Sequence, residues 1–343
     1  MSAAPLLVGI LYDYPQHDGG ASFEEAVRQG LAEVELDRPV ELVARQAAGL
    51  PGGTAHDVHR NFDELVGAGV LAVIGPSISD NGLLVRDWAD EARVPCVNYT
   101  GGERTRTEFM FHYQVGSLAE EPIVLAEHLR ARALPSTAVI HDRSPVGLAY
   151  VAAFEAACDR LGLEVLGRSG ISPLATEAGS IVERLRRAEP SALVYLGLGA
   201  SSRAVSLAIR DAGWDVPVVA NSALMFGYAR KDWRAGFDGW TYVDTVSDGN
   251  ARRQGLKERS PASAAGPVGV AAYDIGRLVG EGLSRAVHLT GEGVKEGLEE
   301  VKRLPAATGY EGTTMGFGNW DHAALKGGYL VLRQWKDGKT VEL

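Results

Sequence analysis

Two serines stand where a strand-length apolar run gives way to a helical pattern. The run covers residues 71–74, and Ser77 and Ser79 follow it directly before an amphipathic pattern at 80–91. Free backbone N–H groups at a helix N-terminus bind polar ligands, and a serine hydroxyl can add a further hydrogen bond. This spacing predicts a ligand contact, with the alternative that both serines only cap the helix.

A glycine-containing loop follows the next apolar run, at 95–99. It brings Thr100, Gly101 and Gly102 together. Glycine lets backbone N–H and C=O groups come close to a ligand, although a simple tight turn has the same composition. Tyr99 either stacks on the ligand or packs in the core.

The first apolar run ends in two aromatic residues and an acid. Tyr12, Asp13 and Tyr14 close this run and begin the first loop. Side chains alternate along a strand, so Tyr12 and Tyr14 share one face. That face either covers a ligand or packs against a neighbouring element.

Patterns of common enzyme sites are missing from the sequence. No glycine-rich dinucleotide or phosphate loop and no nucleophile elbow is present. His56 and His59 could share a helical face, but no third metal ligand accompanies them. His141 and Asp142 end a strand, where acid–base chemistry is an option. We expect no enzyme activity, no metal and no cofactor.

Composition narrows the class further. The 343 residues are 45% hydrophobic and 23% charged, as in an ordinary globular protein, and the net charge is -10. A negative charge disfavours nucleic acid and anionic membranes as partners. Cys96 and Cys158 are expected to be buried small hydrophobes, not a disulfide framework.

The order of patterns predicts an α/β fold made of two Rossmann-like lobes. Apolar runs at 6–12, 40–45, 71–74 and 95–99 alternate with helical patterns, and a similar alternation restarts near 120 and reaches 220. The Asp337-Gly338 pair between apolar residues predicts a hairpin over 329–343. Buried strands joined by helices indicate parallel sheets, which bind ligands at the carboxyl ends of their strands. The loops to inspect are therefore 13–21, 76–81, 98–104, 142–147, 197–202 and 221–226.

The amino-terminal residues lack the basic segment and cleavage pattern of a signal peptide. The apolar run at 6–12 is too short to span a bilayer, so no direct membrane insertion is expected. The sequence as written predicts a cytoplasmic protein. A periplasmic or cell-surface location is expected instead if a leader has been removed.

Four segments carry a family resemblance. They are LAVIGPSIS at 71–79, VIHDRSPVG at 139–147, AAYDI at 271–275, and GFGNW at 316–320 with the ending at 329–338. In this order and spacing they resemble the leucine/isoleucine/valine-binding proteins, of the type I periplasmic-binding-protein fold, including their cytoplasmic amide-sensing relatives. The resemblance implies a three-strand hinge whose lobes close on a ligand. It places one lobe at 1–116 plus 246–316 and the other at 117–245 plus 317–343.

The resemblance also assigns roles in the first lobe. It implies that Ser79 gives its hydroxyl and backbone N–H to a carboxylate or amide of the ligand. The family threonine that helps hold an α-carboxylate aligns with Gly102, and Thr100 stands two residues earlier.

In the second lobe the chain departs from the amino-acid binders. Arg143 is a candidate contact, and Gly199 stands where an aromatic residue is common. Ser222, or Asn221 beside it, stands where an acid receives the ligand ammonium. Asp13 or Asp244 is the alternative partner for an ammonium. A buried ammonium without a carboxylate is costly. We therefore expect an amide, a carboxylic acid or an aromatic acid more than a plain branched-chain amino acid.

The resemblance implies a solute-binding protein for an ABC-type importer of the branched-chain amino-acid type. Its partners would be a small-molecule ligand and a membrane permease. The alternative is a cytoplasmic ligand sensor of the same fold that acts through a regulatory protein partner.

Overall fold

The computed structural model describes residues 4–14 and 20–343 and divides the chain into two compact units. Unit 1 comprises Met1–Val115 and Thr245–Tyr329, and unit 2 comprises Gly116–Asp244 and Leu330–Leu343. The chain thus passes from one unit to the other three times. Within the described ranges, no helix has both the length and the apolar character needed to cross a membrane.

The strands and helices follow the alternation expected from the sequence. The strands are β1 (Leu6–Tyr12), β2 (Val40–Gln46), β3 (Ala72–Ile74), β4 (Cys96–Asn98), β5 (Met110–His112), β6 (Ser136–Asp142), β7 (Glu164–Ile171), β8 (Ala192–Leu196), β9 (Val218–Ala220), β10 (Thr241–Asp244), β11 (Leu304–Pro305), β12 (Thr314–Met315), β13 (Leu325–Lys326), β14 (Val331–Lys336) and β15 (Lys339–Glu342). The α-helices are α1 (Ala21–Leu31), α2 (Ala55–Gly67), α3 (Ser79–Ala92), α4 (Glu121–Ala131), α5 (Pro145–Leu161), α6 (Gly179–Arg186), α7 (Ser202–Asp211), α8 (Phe226–Ala229), α9 (Ala251–Arg259), α10 (Pro267–Arg285) and α11 (Gly291–Glu299).

Unit 1 is built on a five-stranded sheet in the order β2-β1-β3-β4-β5, and every pairing in it is parallel. Parallel neighbours need crossover connections, which the helices supply. The carboxyl ends of β1, β3 and β4 therefore lie along one edge of this sheet, which we call the carboxyl edge of unit 1. A small antiparallel sheet of β11, β12 and β13 belongs to the same unit.

Unit 2 carries a seven-stranded sheet in the order β15-β14-β10-β9-β8-β6-β7. The strands from β10 to β7 are parallel, and the β14–β15 hairpin adds antiparallel strands at the other edge. Asp337 and Gly338 both have positive φ in the turn, which matches the Asp-Gly hairpin signal. The predicted α/β architecture and the predicted hairpin are confirmed.

The unit 2 sheet is buried on both faces, because successive residues of its central strand alternate between two apolar clusters. On β8, Leu193 and Tyr195 belong to one cluster, and Ala192, Val194 and Leu196 belong to the other. All five side chains are fully buried. A strand with helices on both faces reads as a continuous apolar run, which is how this segment was recognised in the sequence.

The third passage between units falls later than the sequence analysis placed it. Residues 317–329 were assigned to the second lobe, whereas they lie in unit 1. The reason is local pairing: β13 pairs with β12, and the backbone N–H of His112 donates to the carbonyl of His322 at 2.8 Å. These contacts come from segments distant in the chain, so the family spacing did not locate them.

Helices α1 and α10 approach closely in unit 1. A Cβ on Gly30 would lie 2.1 Å from the carbonyl oxygen of Tyr273, and a Cβ on Gly276 would lie 2.3 Å from that of Val27. Since both obstacles are backbone atoms, no side-chain rotation can relieve them. The absence of side chains at these two positions sets how near the helices can pack.

We expect Gly30→Ala to lower the free energy of unfolding by about 1–3 kcal/mol, because it overpacks the α1–α10 contact. The measurement is urea unfolding followed by circular dichroism. Gly67→Ala is the matched control, since a Cβ there meets nothing within 4 Å. The control should leave stability unchanged or raise it by up to about 1 kcal/mol. Equal stabilities for the two variants would contradict the packing argument.

Candidate functional site

A buried carboxylate organises the carboxyl edge of unit 1. Asp13 directly follows β1 and is 1% exposed. Its Oδ1 accepts from the backbone N–H and the hydroxyl of Ser77 at 2.8 and 2.6 Å. Its Oδ2 accepts from the backbone N–H of Ile78 at 2.9 Å and from Nδ2 of Asn81 at 2.8 Å. The side chain at the end of one strand thus holds the loop that follows its neighbour, β3.

The electrostatics of Asp13 balance two opposing effects. Burial raises its pKa above the ordinary aspartate value, and the hydrogen bonds from Ser77, Asn81 and Ile78 oppose that rise. Because these donors already occupy both carboxylate oxygens, Asp13 is a structural acceptor. The sequence analysis also considered Asp13 as the partner of a ligand ammonium. That role would require breaking the hydrogen bonds from Ser77, Ile78 and Asn81.

Asn81 extends the same network to a third strand end. Its Nδ2 also donates to the carbonyl of Leu50 at 3.2 Å, and its Oδ1 accepts from the N–H of Leu50 at 2.9 Å. Leu50 lies in the loop after β2. One side chain on α3 therefore ties together the loops that follow β1, β2 and β3.

Ser79 is the first residue of α3 and is 7% exposed. Helix α3 has no side-chain cap, because the Ser77 hydroxyl donates to Asp13 and the N-cap position is held by Ile78. Over residues 4–14 and 20–343, the Ser79 hydroxyl makes no hydrogen bond with another group. The capping alternative does not describe these serines, and Ser79 keeps its full capacity to bind a ligand.

The loop after β4 uses its polar groups internally. The Thr100 hydroxyl donates to Oδ1 of Asn98 at 2.9 Å and accepts from the N–H of Gly102 at 3.2 Å. Thr105 also donates to the Gly102 carbonyl at 2.7 Å. Thr100 is 1% exposed and Gly101 is partly exposed. Thr100 thus shapes the loop, which presents its backbone at Gly101.

The predicted aromatic contacts separate into two groups. Tyr12 and Tyr99 are buried and both pack against Phe23, with ring centroids 5.8 and 5.0 Å from it. The Tyr12 hydroxyl donates to the carbonyl of Gly20 at 3.2 Å. These two tyrosines therefore pack within unit 1, whereas Tyr14 is only partly buried. Residues 15–19 of the inspected loop lie outside the described residues.

Unit 2 repeats the device of unit 1 at its own carboxyl edge. Asp142, at the end of β6, is fully buried and accepts from the N–H of Leu198 at 2.6 Å and from the hydroxyl of Ser201 at 2.8 Å. Both donors lie in the loop after β8, the neighbour of β6. Burial raises the Asp142 pKa, while these hydrogen bonds lower it. The sequence analysis considered the His141–Asp142 pair for acid–base chemistry. In the structure, the Asp142 carboxylate instead accepts hydrogen bonds that hold the loop after β8.

The predicted residues of unit 2 have distinct surroundings. Arg143 is exposed, and its guanidinium has no acceptor in the described chain. Gly199 has φ +98°, and a Cβ there would lie 2.6 Å from the Ala223 carbonyl, so an aromatic residue does not fit this backbone. Ser222 is buried and starts a short 3₁₀ helix.

Glu121 is the residue that sequence reasoning missed. It is fully buried at the start of α4. Its Oε1 accepts from the N–H of Ser117 at 2.6 Å, the hydroxyl of Tyr150 at 2.8 Å and the hydroxyl of Ser222 at 3.0 Å. Its Oε2 accepts from the N–H of Ser222 at 2.6 Å. A carboxylate therefore does reach Ser222, but it comes from a distant helix and binds internal donors.

Burial raises the pKa of Glu121 from 4.5 to about 7, against the opposing hydrogen bonds of Ser222, Ser117 and Tyr150.

The remaining acid considered as an ammonium partner, Asp244, is buried and accepts from the hydroxyls of Tyr228 and Tyr242, each at 2.8 Å. Among the residues described, no group of three His, Cys, Asp or Glu side chains could hold a metal ion.

A family model described as periplasmic binding protein matches residues 8–339. The match spans nearly the whole chain, so the chain belongs to the periplasmic binding protein family, and the predicted resemblance is confirmed. Membership also confirms the expectation that this is a binding protein and not an enzyme. A comparison with curated proteins gives no match.

Solved structures share the fold at low sequence identity. A periplasmic binding protein type 1 from Bordetella pertussis Tohama I has a TM-score of 0.83 at 15% identity, over 99% of this chain and 100% of that one. A leucine-binding protein, LivK, from Thermotoga maritima MSB8 has 0.81 at 17%, over 98% and 97%. An ABC transporter substrate-binding protein from Desulfitobacterium hafniense, in complex with leucine, has 0.79 at 16%, over 99% and 100%.

We expect Asn81→Ala to lower the free energy of unfolding by about 2 kcal/mol, because it leaves the partly buried Leu50 backbone and one oxygen of the buried Asp13 short of partners. Urea unfolding measures the loss. Asn319→Ala is the control: Asn319 is exposed, and its replacement should change stability by less than about 0.5 kcal/mol. If Asn81→Ala is as stable as the control, the three-loop network is not a stabilising element.

Proposed function

We propose that this protein is a solute-binding protein that takes a small polar ligand and delivers it to an ABC-type importer of the branched-chain amino-acid type. The ligand class is an amino acid, an amide, or a small carboxylic or aromatic acid. Family membership supports the proposal. So does the similarity of its fold to two solved structures, those of a leucine-binding protein and of an ABC transporter substrate-binding protein.

The observation that carries the proposal is the unengaged hydroxyl of Ser79 at the uncapped start of α3. Backbone N–H groups at a helix N-terminus and a free hydroxyl together form a donor set for a carboxylate or an amide carbonyl. Asp13 holds the preceding residues, Ser77 and Ile78, in place. The donor set is therefore organised before a ligand arrives.

The state of the buried acids favours a ligand without an ammonium group. Asp13, Asp142, Glu121 and Asp244 all accept hydrogen bonds from groups of their own unit. An ammonium placed beside them would have to displace those donors, and an unpaired buried ammonium is costly. An amide carries no charge, and a carboxylate can accept hydrogen bonds from the Ser79 donor set, so we place amides and small carboxylic or aromatic acids ahead of branched-chain amino acids.

A thermal-shift screen tests the ligand class. The panel is L-leucine, acetamide, butyrate and benzoate, each tested with the full-length protein. A compound at one hundred times its Kd should stabilise the fold by about 2.7 kcal/mol and raise the Tm visibly. We expect acetamide, butyrate or benzoate to raise the Tm more than L-leucine does. A rise in Tm with L-leucine alone would contradict the argument that the buried acids are already occupied by hydrogen bonds from their own unit.

The Ser79→Ala variant tests the site. We expect it to weaken binding of the best compound in the panel by roughly tenfold, the value of about one hydrogen bond. Stability without ligand should stay within about 0.5 kcal/mol, because the hydroxyl has no internal partner. Isothermal titration measures the affinity and urea unfolding measures the stability, each compared with Ser180→Ala, an exposed serine near the start of α6. Equal affinities for the two variants would remove Ser79 from the site.

The importer role requires the protein to be exported and to feed transport. Cell fractionation, with uptake of the labelled compound in a strain lacking this protein, tests both requirements together. Reduced uptake and an extracytoplasmic protein are the expected results. A cytoplasmic protein with unchanged uptake would favour the alternative of a ligand sensor that acts through a protein partner.

A further inference from the structure

Three arginines meet one carboxylate in unit 1, just beyond the end of α1. Oε2 of Glu33 lies 3.0 Å from Nη1 of Arg252 and 3.3 Å from Nε of Arg277. Its Oε1 lies 2.9 Å from Nη2 of Arg259 and accepts from the hydroxyl of Tyr273. We call these five residues the Glu33 cluster. A single carboxylate in this cluster receives three guanidinium groups and a phenol.

The Glu33 cluster holds more positive than negative charge. Its neighbour Asp274 is fully buried and adds a second carboxylate, 3.5 Å from Nη1 of Arg277. Three guanidinium groups therefore face two carboxylates. Because arginine stays ionised in proteins, at least one positive charge is in excess. Like charges held close together repel, so an anion bound beside them would stabilise the cluster.

The two arginines of α9 leave most of their hydrogen-bond donors unused. Arg252 bonds through Nη1 alone and Arg259 through Nη2 alone, in both cases to Glu33 and Tyr273. Over residues 4–14 and 20–343, the remaining N–H groups of these two guanidiniums have no acceptor. The side chain of Arg252 is 33% exposed and that of Arg259 is 57% exposed. A dissolved anion can therefore reach the unused donors.

Gly255 lies between these two arginines on the same face of α9. It follows Arg252 by three residues and precedes Arg259 by four, which is about one helical turn in each direction. Both guanidinium groups approach the Tyr273 hydroxyl, at 3.3 and 3.4 Å, so they are neighbours in space. Among the described residues, a Cβ on Gly255 would meet only Nη1 of Arg259, at 3.5 Å. The space between the two arginines is thus open.

We propose that Arg252 and Arg259 form a second binding site, over Gly255, for a phosphate group. The donors that Glu33 and Tyr273 leave unused bind the phosphate oxygens, and Glu33 holds both arginines in place. The planar fork of a guanidinium matches the oxygens of a phosphate, which can accept two parallel hydrogen bonds from it. Inorganic phosphate and a phosphate monoester share this chemistry, so the site takes a phosphate dianion from either source.

This site is separate from the carboxyl edge of unit 1. Helix α1 begins after β1, at that edge, and Glu33 lies beyond the other end of the helix. The 11 residues of α1 span about 16 Å. The phosphate site therefore depends neither on Ser79 nor on the proposed function, and each can be tested without the other.

Isothermal titration of the full chain with inorganic phosphate tests the site, with sodium chloride holding the ionic strength constant. We expect wild type to bind phosphate, and Arg252→Gln and Arg259→Gln each to bind about tenfold more weakly, because each loses charge-assisted hydrogen bonds. Gly255→Leu should weaken binding as much, because it fills the open space while both charges remain. Lys257→Gln is the matched control: it removes an exposed positive charge from the same helix and should bind like wild type.

Urea unfolding separates phosphate binding from a purely structural role of the Glu33 cluster. Phosphate should raise the unfolding midpoint of wild type and of Lys257→Gln, and should leave that of Gly255→Leu unchanged. If the arginines only stabilise the fold, Arg259→Gln unfolds more easily by the same amount with and without phosphate, and phosphate has no effect on wild type. That result would overturn the proposal.

Glycerol 3-phosphate distinguishes the two sources of the phosphate group. Binding as tight as that of inorganic phosphate supports a monoester, and binding of the free ion alone supports inorganic phosphate. Equal phosphate affinities for Arg259→Gln and Lys257→Gln would contradict the site. Phosphate binding that is lost in Ser79→Ala and kept in Arg259→Gln would also contradict it, because the ion would then lie at the carboxyl edge.

Discussion

The arrangement at the carboxyl edges depends on a buried aspartate at the end of one strand of each unit. Asp13 follows β1 and Asp142 ends β6, and each accepts hydrogen bonds from the loop after the neighbouring strand. Where a parallel strand ends, its loop leaves backbone N–H groups without ladder partners. A carboxylate at that point satisfies several of them at once and fixes the loop relative to the sheet. The same solution in both units follows from their similar strand order.

The hydrogen bonds of these aspartates bear on which ligand groups the carboxyl edge could bind. Both carboxylate oxygens of Asp13 already accept hydrogen bonds from Ser77, Ile78 and Asn81, which supports the proposal of a ligand without an ammonium group. What stays available in unit 1 is the hydroxyl of Ser79 and the start of α3.

Glu121 in unit 2 is likewise a buried carboxylate that accepts hydrogen bonds from groups of its own unit. Ser222 occupies the position where the resemblance implied an acid, and a carboxylate reaches that serine from α4. Its oxygens are occupied by the donors of three segments, and its burial places its titration near neutrality. The hydrogen bonds favour the charged form of Glu121, whereas burial favours its neutral form.

The sequence by itself determined the α/β class, the order of the main strands and helices, the terminal hairpin and the family. These properties are encoded locally, in apolar runs, helical periodicity, an Asp-Gly turn and short motifs. It also located Ser77, Ser79 and Ser222 at strand ends. It could not say which of them are free, since Ser77 is held by Asp13 and Ser222 by Glu121, 64 and 101 residues away along the chain. Only the tertiary structure decided that, because a hydrogen bond between distant segments depends on how strands are ordered in the sheet and on which side chains burial brings together.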